Sequence, residues 1–301
     1  MTRILVTGAT GTVGQYLFNT LSQRSDVEVR GGSRQGHPYG NPSLVHFDYN
    51  DRSSIQAALD GVDKVFLVTP FTANMLEMES RVIEEIGRSN VRHVVKLSIA
   101  GADASQPTAL AQVHRQLEQA LEQTGKHITV LRAQSYMQNY ARFMGENIRA
   151  HSAFYLPLGV GRVSLVDVRD VADVAATVLT EGGHEGKAYT LTGPQPLSNY
   201  EVAHILTAVL ARRINYVVVS EAQTHAGMKV AGTPEWIREA MLEWYRHQKN
   251  GLASYLTNHV EWITGHPSRS FEQFAQEYKG AFTKEEASAY PQPLKGSASA
   301  A

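Results

Sequence analysis

A short apolar strand, a glycine-rich turn and a helix-forming stretch follow one another directly at the start of the chain. The strand pattern covers residues 3–6, and the turn reads Thr-Gly-Ala-Thr-Gly-Thr-Val-Gly over residues 7–14. Gly8 permits a tight turn, Gly11 lets the backbone approach a pyrophosphate without a Cβ in the way, and Gly14 lets the helix pack closely. Phosphates then bind free N–H groups at the positive end of the helix. This order predicts a dinucleotide site, with a plain tight turn as the simpler alternative.

The end of the second predicted strand indicates which dinucleotide binds. That strand covers residues 26–30 and continues into Gly-Gly-Ser-Arg at 31–34. A site for NAD places a carboxylate on the ribose 2′-hydroxyl about 20 residues after the glycines. Here the window 30–34 holds two arginines and no acid. Because a guanidinium fork beside a small hydroxyl suits a 2′-phosphate, Ser33 and Arg34 predict NADPH rather than NADH. A solvated surface arginine is the alternative.

Composition excludes several classes of function. Lys and Arg number 28 against 29 Asp and Glu, which argues against nucleic acid as the main partner. The chain has no cysteine, so disulfides, thiolate nucleophiles, iron–sulfur clusters and Cys-ligated zinc are all excluded. No apolar run approaches the roughly 20 residues that span a bilayer, and the first strand leaves no room for a signal peptide. We therefore expect a soluble cytoplasmic protein with no membrane partner and no metal.

Strand and helix patterns alternate through residues 1–135, and the pattern returns at 164–192. A helix over 52–59 has Asp51 as its expected N-cap and Gly61 as its expected stop. Alternation of this kind predicts an α/β fold with a doubly wound parallel sheet of the Rossmann type, which forms the NADP-binding domain. The predicted strands are 3–6, 26–30, 64–69, 93–98, 128–131 and 188–192, and the predicted helices are 12–22, 52–59, 74–88, 106–123 and 170–180.

The pattern becomes mostly helical and richer in aromatic residues after residue 192. Helical patterns cover 201–210, 235–248 and 271–279, and Trp236 and Trp244 lie in the second of these. This indicates a smaller, mostly helical C-terminal lobe for the substrate, formed by residues 136–163 and 193–283. We expect it beside the carboxyl ends of the strands, where open α/β sheets bind ligands. Residues 284–301 are expected to form a flexible tail.

Several motifs recur together in the order typical of one family. They are TGATGTVG (7–14), Arg34 after the second strand, LSIAGAD (97–103), His114 and Glu118 on the next helix, TVLRAQSYMQN (129–139), SLVDVRDVADVAA (164–176) and TGHPSRSFEQFA (264–275). From residue 2 to about 283, the chain resembles the NmrA-like atypical short-chain dehydrogenases. That family includes NADP(H)-dependent reductases of quinones, triphenylmethane dyes and azo dyes, and also non-catalytic redox sensors.

The resemblance implies a set of NADPH-binding residues. Those implied at the pyrophosphate are Gly8, Thr10, Gly11, Thr12 and Val13, and Arg34 is implied at the 2′-phosphate. Those implied at the nicotinamide ribose are Thr69, Pro70 and Phe71. Those implied at the nicotinamide ring are Ser98, Gln134, Ser135 and Tyr136.

Candidate catalytic residues differ from those of ordinary short-chain dehydrogenases. Such enzymes use Tyr-x-x-x-Lys, in which the lysine lowers the pKa of the tyrosine. That spacing occurs once, at Tyr245 and Lys249, where we expect a solvated face with no catalytic role. The helix that carries the pair in those enzymes offers His114 and Glu118 instead.

His114 and Tyr136 each have two interpretations. His114 could donate a proton to, or stack on, an aromatic acceptor, or it could pair with Glu118 four residues later. Tyr136, just past a predicted strand, could contact substrate or could be a half-buried packing residue. The favoured function is a flavin-free NADPH-dependent reductase of azo dyes, quinones or triphenylmethane dyes, which acts as a monomer or small homo-oligomer on a small aromatic or quinoid substrate. The alternative is a non-catalytic NADP(H)-binding redox sensor that regulates a partner protein.

Overall fold

A seven-stranded parallel sheet forms the centre of the computed structural model, which describes residues 1–35 and 43–283. The strands of the chain are β1 (Thr2–Val6), β2 (Val27–Ser33), β3 (Leu44–His46), β4 (Lys64–Leu67), β5 (His93–Ile99), β6 (His127–Ala133), β7 (Ala153–Leu156), β8 (Arg162–Val163), β9 (Ala188–Leu191), β10 (Leu197–Ser198) and β11 (Asn215–Val218). The large sheet has the order β3-β2-β1-β4-β5-β6-β9, and all of its neighbouring strands are parallel. The predicted doubly wound α/β fold is confirmed.

Helices cover both faces of this sheet. They are α1 (Gly14–Ser22), α2 (Arg52–Leu59), α3 (Met75–Arg88), α4 (Ala109–Glu122), α5 (Gly145–His151), α6 (Val168–Thr180), α7 (Asn199–Leu210), α8 (Glu221–Val230), α9 (Glu235–Lys249), α10 (His259–Thr264), α11 (Phe271–Glu277) and α12 (Lys279–Phe282). The core on one face comes from α1, α6 and α10, and the core on the other comes from α2, α3 and α4. Because both faces are covered, Ile4, Leu5 and Val6 of β1 are all fully buried.

The structure confirms both predicted ends of the helix over 52–59. Asp51 precedes α2, and its side chain accepts a hydrogen bond from the backbone N–H of Ser53 at 2.9 Å. Gly61 follows the helix with a φ of +67°, a left-handed conformation that glycine adopts without strain. Local capping chemistry therefore determines both ends of α2.

A third hydrophobic core, which belongs to the helical lobe, lies in the part of the chain that follows β6. Its largest fully buried side chains are those of Phe154, Phe271, Phe274 and Phe282. Tyr245 packs against this core, so the expectation that it lies on a solvated face is wrong. Although α9 carries many charged residues, the aromatic ring of Tyr245 is apolar and packs into the core.

Short elements of this lobe were not predicted. They are the parallel pair β7 and β11, the antiparallel pair β8 and β10, and a π-helical turn over Tyr140–Met144. A hydrogen bond of 2.7 Å between the hydroxyls of Tyr16 on α1 and Tyr278 joins the core around α1 and α6 to the core of the lobe. The tail predicted over 284–301 lies outside the described residues. Within 1–35 and 43–283, no helix is long and apolar enough to cross a membrane.

Candidate active site

The turn between β1 and α1 has the geometry that its glycines predict. Gly8 has a φ of +61°, and its carbonyl accepts a hydrogen bond from the N–H of Gly11 at 2.8 Å. A Cβ placed on Gly14 would lie 2.1 Å from the carbonyl oxygen of Gly8, so no larger residue fits there. The start of α1 therefore lies directly against the turn.

The N-terminus of α1 fits a phosphate group. No side chain caps this helix, and its first turn contains no acidic residue. Thr10 and Gly11 are exposed, whereas the side chain of Val13 is buried, so only the backbone of Val13 can reach a ligand. Because the positive end of the helix dipole and its free N–H groups meet no internal anion, the turn can bind a pyrophosphate.

Arg34 lies exposed at the end of β2, one strand away from this turn. Its carbonyl oxygen is 3.0 Å from Nδ1 of His46. The buried Ser33 hydroxyl accepts a hydrogen bond from the N–H of Gln35 at 3.3 Å, which shapes the turn that carries Arg34. Among the described residues, no carboxylate pairs with the Arg34 guanidinium, so that group is available for an external anion.

The predicted ribose-binding residues follow β4. Pro70 and Phe71 are exposed, and Phe71 keeps 42% of its surface. The Thr69 hydroxyl donates to Glu79 on α3 at 2.6 Å, and Glu79 also forms an ion pair with Lys96 on β5. Both charged side chains of this pair are buried, at 1% and 0% exposure. Thr69 is therefore anchored on a buried charge pair.

Of the two interpretations of His114, the hydrogen-bonded pair with Glu118 is not formed within 1–35 and 43–283, because other groups hold that carboxylate. The buried Glu118 carboxylate accepts hydrogen bonds from the Ser98 hydroxyl at 2.6 Å and from Arg132 at 2.7 Å. Arg115 on the same helix provides a third donor at 3.0 Å. These three groups occupy the carboxylate, and the hydroxyl proton of Ser98 is directed at Glu118.

His114 is half-buried beside these charges and is neutral. Its Nδ1 atom is buried and has no hydrogen-bond partner among the described residues. Burial lowers the pKa of His114 to about 3, and the positive charge of Lys96 acts in the same direction. A neutral imidazole can stack on an aromatic acceptor, but it does not carry the extra proton that a general acid at neutral pH needs.

Tyr136 follows β6, the strand next to β5, at the carboxyl edge of the sheet. Its backbone forms a parallel bridge with Val166, and its half-buried ring packs against the core on the α1 and α6 face. Burial raises the pKa of Tyr136 well above its ordinary value, so the hydroxyl stays protonated at neutral pH. The side chain can therefore donate a hydrogen bond but cannot act as a base.

Gln134 and Ser135 connect the end of β6 to the helical lobe. The Ser135 hydroxyl accepts hydrogen bonds from Nε1 of Trp244 at 3.1 Å and from Nε2 of Gln248 at 2.8 Å. The amide of the buried Gln134 donates to the carbonyl of Ala253 at 3.4 Å. The side chains predicted at the nicotinamide ring thus hold α9 and the following segment against the sheet.

Helix α9 presents aromatic side chains to the carboxyl edge. Trp236 contacts Phe71 with ring centroids 5.0 Å apart, and Trp244 stacks on His247 at 5.4 Å with the rings nearly parallel. Next to this stack lies a cavity of about 330 Å³ between the loop after β5 and the segment after α9, with His247 and Tyr255 in its lining. This aromatic wall can hold a flat molecule.

Three residues near the site were not identified from sequence. They are Glu79, Lys96 and Gln248. Lys96 lies inside the otherwise apolar strand Val-Val-Lys-Leu-Ser, and a charge in such a strand requires a buried partner. That pattern alone could have indicated an ion pair, although not which acid forms it.

Comparisons with known proteins agree with the fold. A model of the NmrA-like family matches residues 1–266. The chain is 34% identical to the NAD(P)H azoreductase of Xenophilus azovorans over 284 residues, which cover 93% of this chain and 99% of that protein.

Two solved structures are also similar. The triphenylmethane reductase of a Citrobacter species, in complex with NADP(H), has a TM-score of 0.81 and 29% identity, covering 91% of this chain and 99% of that one. The NADPH-dependent quinone oxidoreductase of Escherichia coli, in complex with NADPH, has a TM-score of 0.81 and 25% identity, with the same coverage of 91% and 99%.

Proposed function

The chain belongs to the NmrA-like family, and on that premise we propose that it is a flavin-free reductase of azo dyes, quinones or triphenylmethane dyes. It is an NAD(P)H-dependent oxidoreductase by its likeness to the azoreductase. NADPH as the cofactor agrees with the NADP(H)-bound neighbours and with Arg34, which has no ion-pair partner within 1–35 and 43–283. The acceptor and the direct hydride transfer are the parts that we propose.

The observation that carries this proposal is the protonation of the two candidate catalytic side chains, which follows from where each one packs. The pKa of His114 is lowered to about 3 and that of Tyr136 is raised, in each case by burial. Neither is poised to exchange a proton near neutral pH. Carbonyl reduction needs such a group, whereas an electrophilic acceptor can take a hydride without one.

The chain would contribute binding and orientation. The turn around Gly8 and the N-terminus of α1 would hold the pyrophosphate, and Arg34 would hold the 2′-phosphate. When bound, NADPH supplies a hydride from C4 of its nicotinamide. Trp236 and Phe71 would align a flat acceptor and exclude water, and proximity of this kind contributes strongly to rate. The protonated hydroxyl of Tyr136 would donate a hydrogen bond, and solvent would supply the proton that completes reduction.

A panel of acceptors tests the proposal. Purified protein without visible flavin absorbance is mixed with NADPH and with an azo dye, a simple quinone or a triphenylmethane dye, while loss of the NADPH absorbance is followed. We expect oxidation of NADPH that depends on the acceptor and is slower with NADH. Binding of NADPH without oxidation by any acceptor would overturn the proposal and favour an NADP(H)-binding regulator instead.

A further inference from the structure

We propose that Arg142 binds the pyrophosphate of the cofactor from the side opposite the glycine-rich turn. The inference rests on NADPH as the cofactor and not on the identity of the acceptor. Arg142 lies on the π-helical turn that follows β6, far from the turn in sequence. Its Nη1 atom donates to the hydroxyl of Thr12 at 3.4 Å. The guanidinium therefore lies at the N-terminus of α1.

The position of this cation is unfavourable without an anion. The N-terminus of a helix carries a partial positive charge, and a cation placed there is repelled. Val13 is the N-cap of α1, and Thr12 directly precedes it. No acid in the first turn of α1 offsets the charge of Arg142. A bound pyrophosphate would lie between two positive groups and remove this repulsion.

Arg142 also lacks the partners that other arginines have. Within 1–35 and 43–283, no carboxylate pairs with it, and its other neighbour is the Phe143 ring, 5.1 Å from the guanidinium carbon. Most arginines of the described chain donate to a carboxylate or a backbone carbonyl, as Arg149 does to Ala281. Arg34 is likewise without a carboxylate partner among the residues that the structure describes, and it lies at the carboxyl end of β2.

The π-helical turn gives a local reason for this placement. A π-helical turn inserts an extra residue into the helical register, and such turns are frequent at functional sites. Tyr140, at its start, is buried and donates through its hydroxyl to Asn199 at 2.7 Å. Arg142 and Phe143 are exposed on the same turn. One end of the turn is therefore fixed in the lobe core while Arg142 is directed at the N-terminus of α1.

Cofactor binding tests this inference independently of catalysis. The variant Arg142→Gln removes the charge, and dissociation constants for NADPH and NADH are measured by titration calorimetry. Because both cofactors contain the pyrophosphate, we expect affinity to fall by a similar factor for both, about 10-fold to 100-fold. The comparison variant Arg34→Gln should weaken NADPH alone. Arg213→Gln, which removes an exposed arginine of the lobe, should change neither.

Two results would overturn the inference. One is a dissociation constant of Arg142→Gln within twofold of that of the unmodified protein for both cofactors. The other is a loss of affinity for NADPH alone. The variant Arg142→Lys keeps a charge and should bind both cofactors more tightly than Arg142→Gln. Should Arg142→Gln not fold, Arg142→Met takes its place, and binding of both cofactors by that variant within twofold of the unmodified protein would equally contradict a phosphate contact.

Discussion

The indole Nε1 of Trp244 donates a hydrogen bond to the hydroxyl of Ser135 at 3.1 Å. This bond joins α9 to Ser135, which lies two residues after the end of β6. Gln248, one helical turn after Trp244, donates to the same oxygen at 2.8 Å. The Ser135 hydroxyl thereby joins the aromatic wall of the site to the carboxyl edge of the sheet.

Ser135→Ala should destabilise the protein through the two donors that it leaves without an acceptor. Each half-buried donor that loses its hydrogen bond costs roughly 1 kcal/mol, so we expect a loss of about 1–3 kcal/mol in the free energy of unfolding. Urea unfolding measures this loss. Ser25→Ala, an exposed serine, is the matched control. A Ser135→Ala loss equal to that of the control would show that these bonds do not hold α9.

Lys96→Met should be strongly destabilising because it leaves the Glu79 carboxylate buried and unpaired. Removing one partner of a buried ion pair costs about 3–5 kcal/mol, whereas replacing both by apolar residues is often nearly neutral. The double variant Lys96→Met with Glu79→Leu should therefore regain most of the stability. Thermal unfolding of the two variants makes the comparison. A double variant less stable than Lys96→Met would contradict this description of the pair.

Arg34→Ala should change cofactor preference. Loss of a charge-assisted contact to the 2′-phosphate costs about 1.5–3 kcal/mol of NADPH binding and should leave NADH nearly unaffected. Fluorescence titration with each cofactor measures the two affinities. Arg24→Ala is the control, since Arg24 is a nearby exposed arginine that pairs with Asp26. Equal losses of affinity for NADPH and NADH would show that Arg34 does not contact the 2′-phosphate.

Acidification should destabilise the fold through two buried histidines. Burial lowers the pKa of His114 to about 3 and that of His93 to about 4, whereas an unfolded histidine titrates at about 6.5. Below about pH 6.5 the unfolded chain therefore binds protons that the folded chain does not. Stability should be level above that pH and should fall as the pH decreases towards 4.

The variant His114→Gln tests the source of this acid sensitivity. Its melting temperature should decrease less steeply between pH 6.5 and pH 5 than that of the unmodified protein, because one of the two groups no longer titrates. Replacing an exposed histidine, His151→Gln, should leave the slope unchanged. Identical slopes for His114→Gln and the unmodified protein would show that His114 is not held neutral by the fold.

Sequence predicted α2 to the residue but ended β2 too early. The prediction stopped at Arg30, whereas β2 continues to Ser33. A Cβ on Gly31 would lie 2.6 Å from Leu44 and 2.8 Å from Ala9, so this glycine provides space inside the sheet rather than a turn. Its partner strand β3 has only three residues, too few to give a periodic pattern.

Residues that follow consecutive strands were easier to place from sequence than contacts between separate elements. Gly8 and Arg34 follow consecutive strands of the sheet, so chain order alone places them on one edge. The i,i+4 rule offered Glu118 as a partner for His114, but the rule considers one helix and not the strands beneath it. Ser98 and Arg132 reach the carboxylate from β5 and β6. Contacts of that kind depend on packing between elements.

One measurement tests whether hydride passes directly from NADPH to the acceptor without a flavin. Protein freed of any bound flavin is assayed for NADPH oxidation with its best acceptor, before and after addition of FMN. The predicted result is the same acceptor-dependent rate in both assays, with NADPH preferred over NADH. A rate that is absent until FMN is added would contradict direct transfer, because the flavin would then carry the electrons from NADPH to the acceptor.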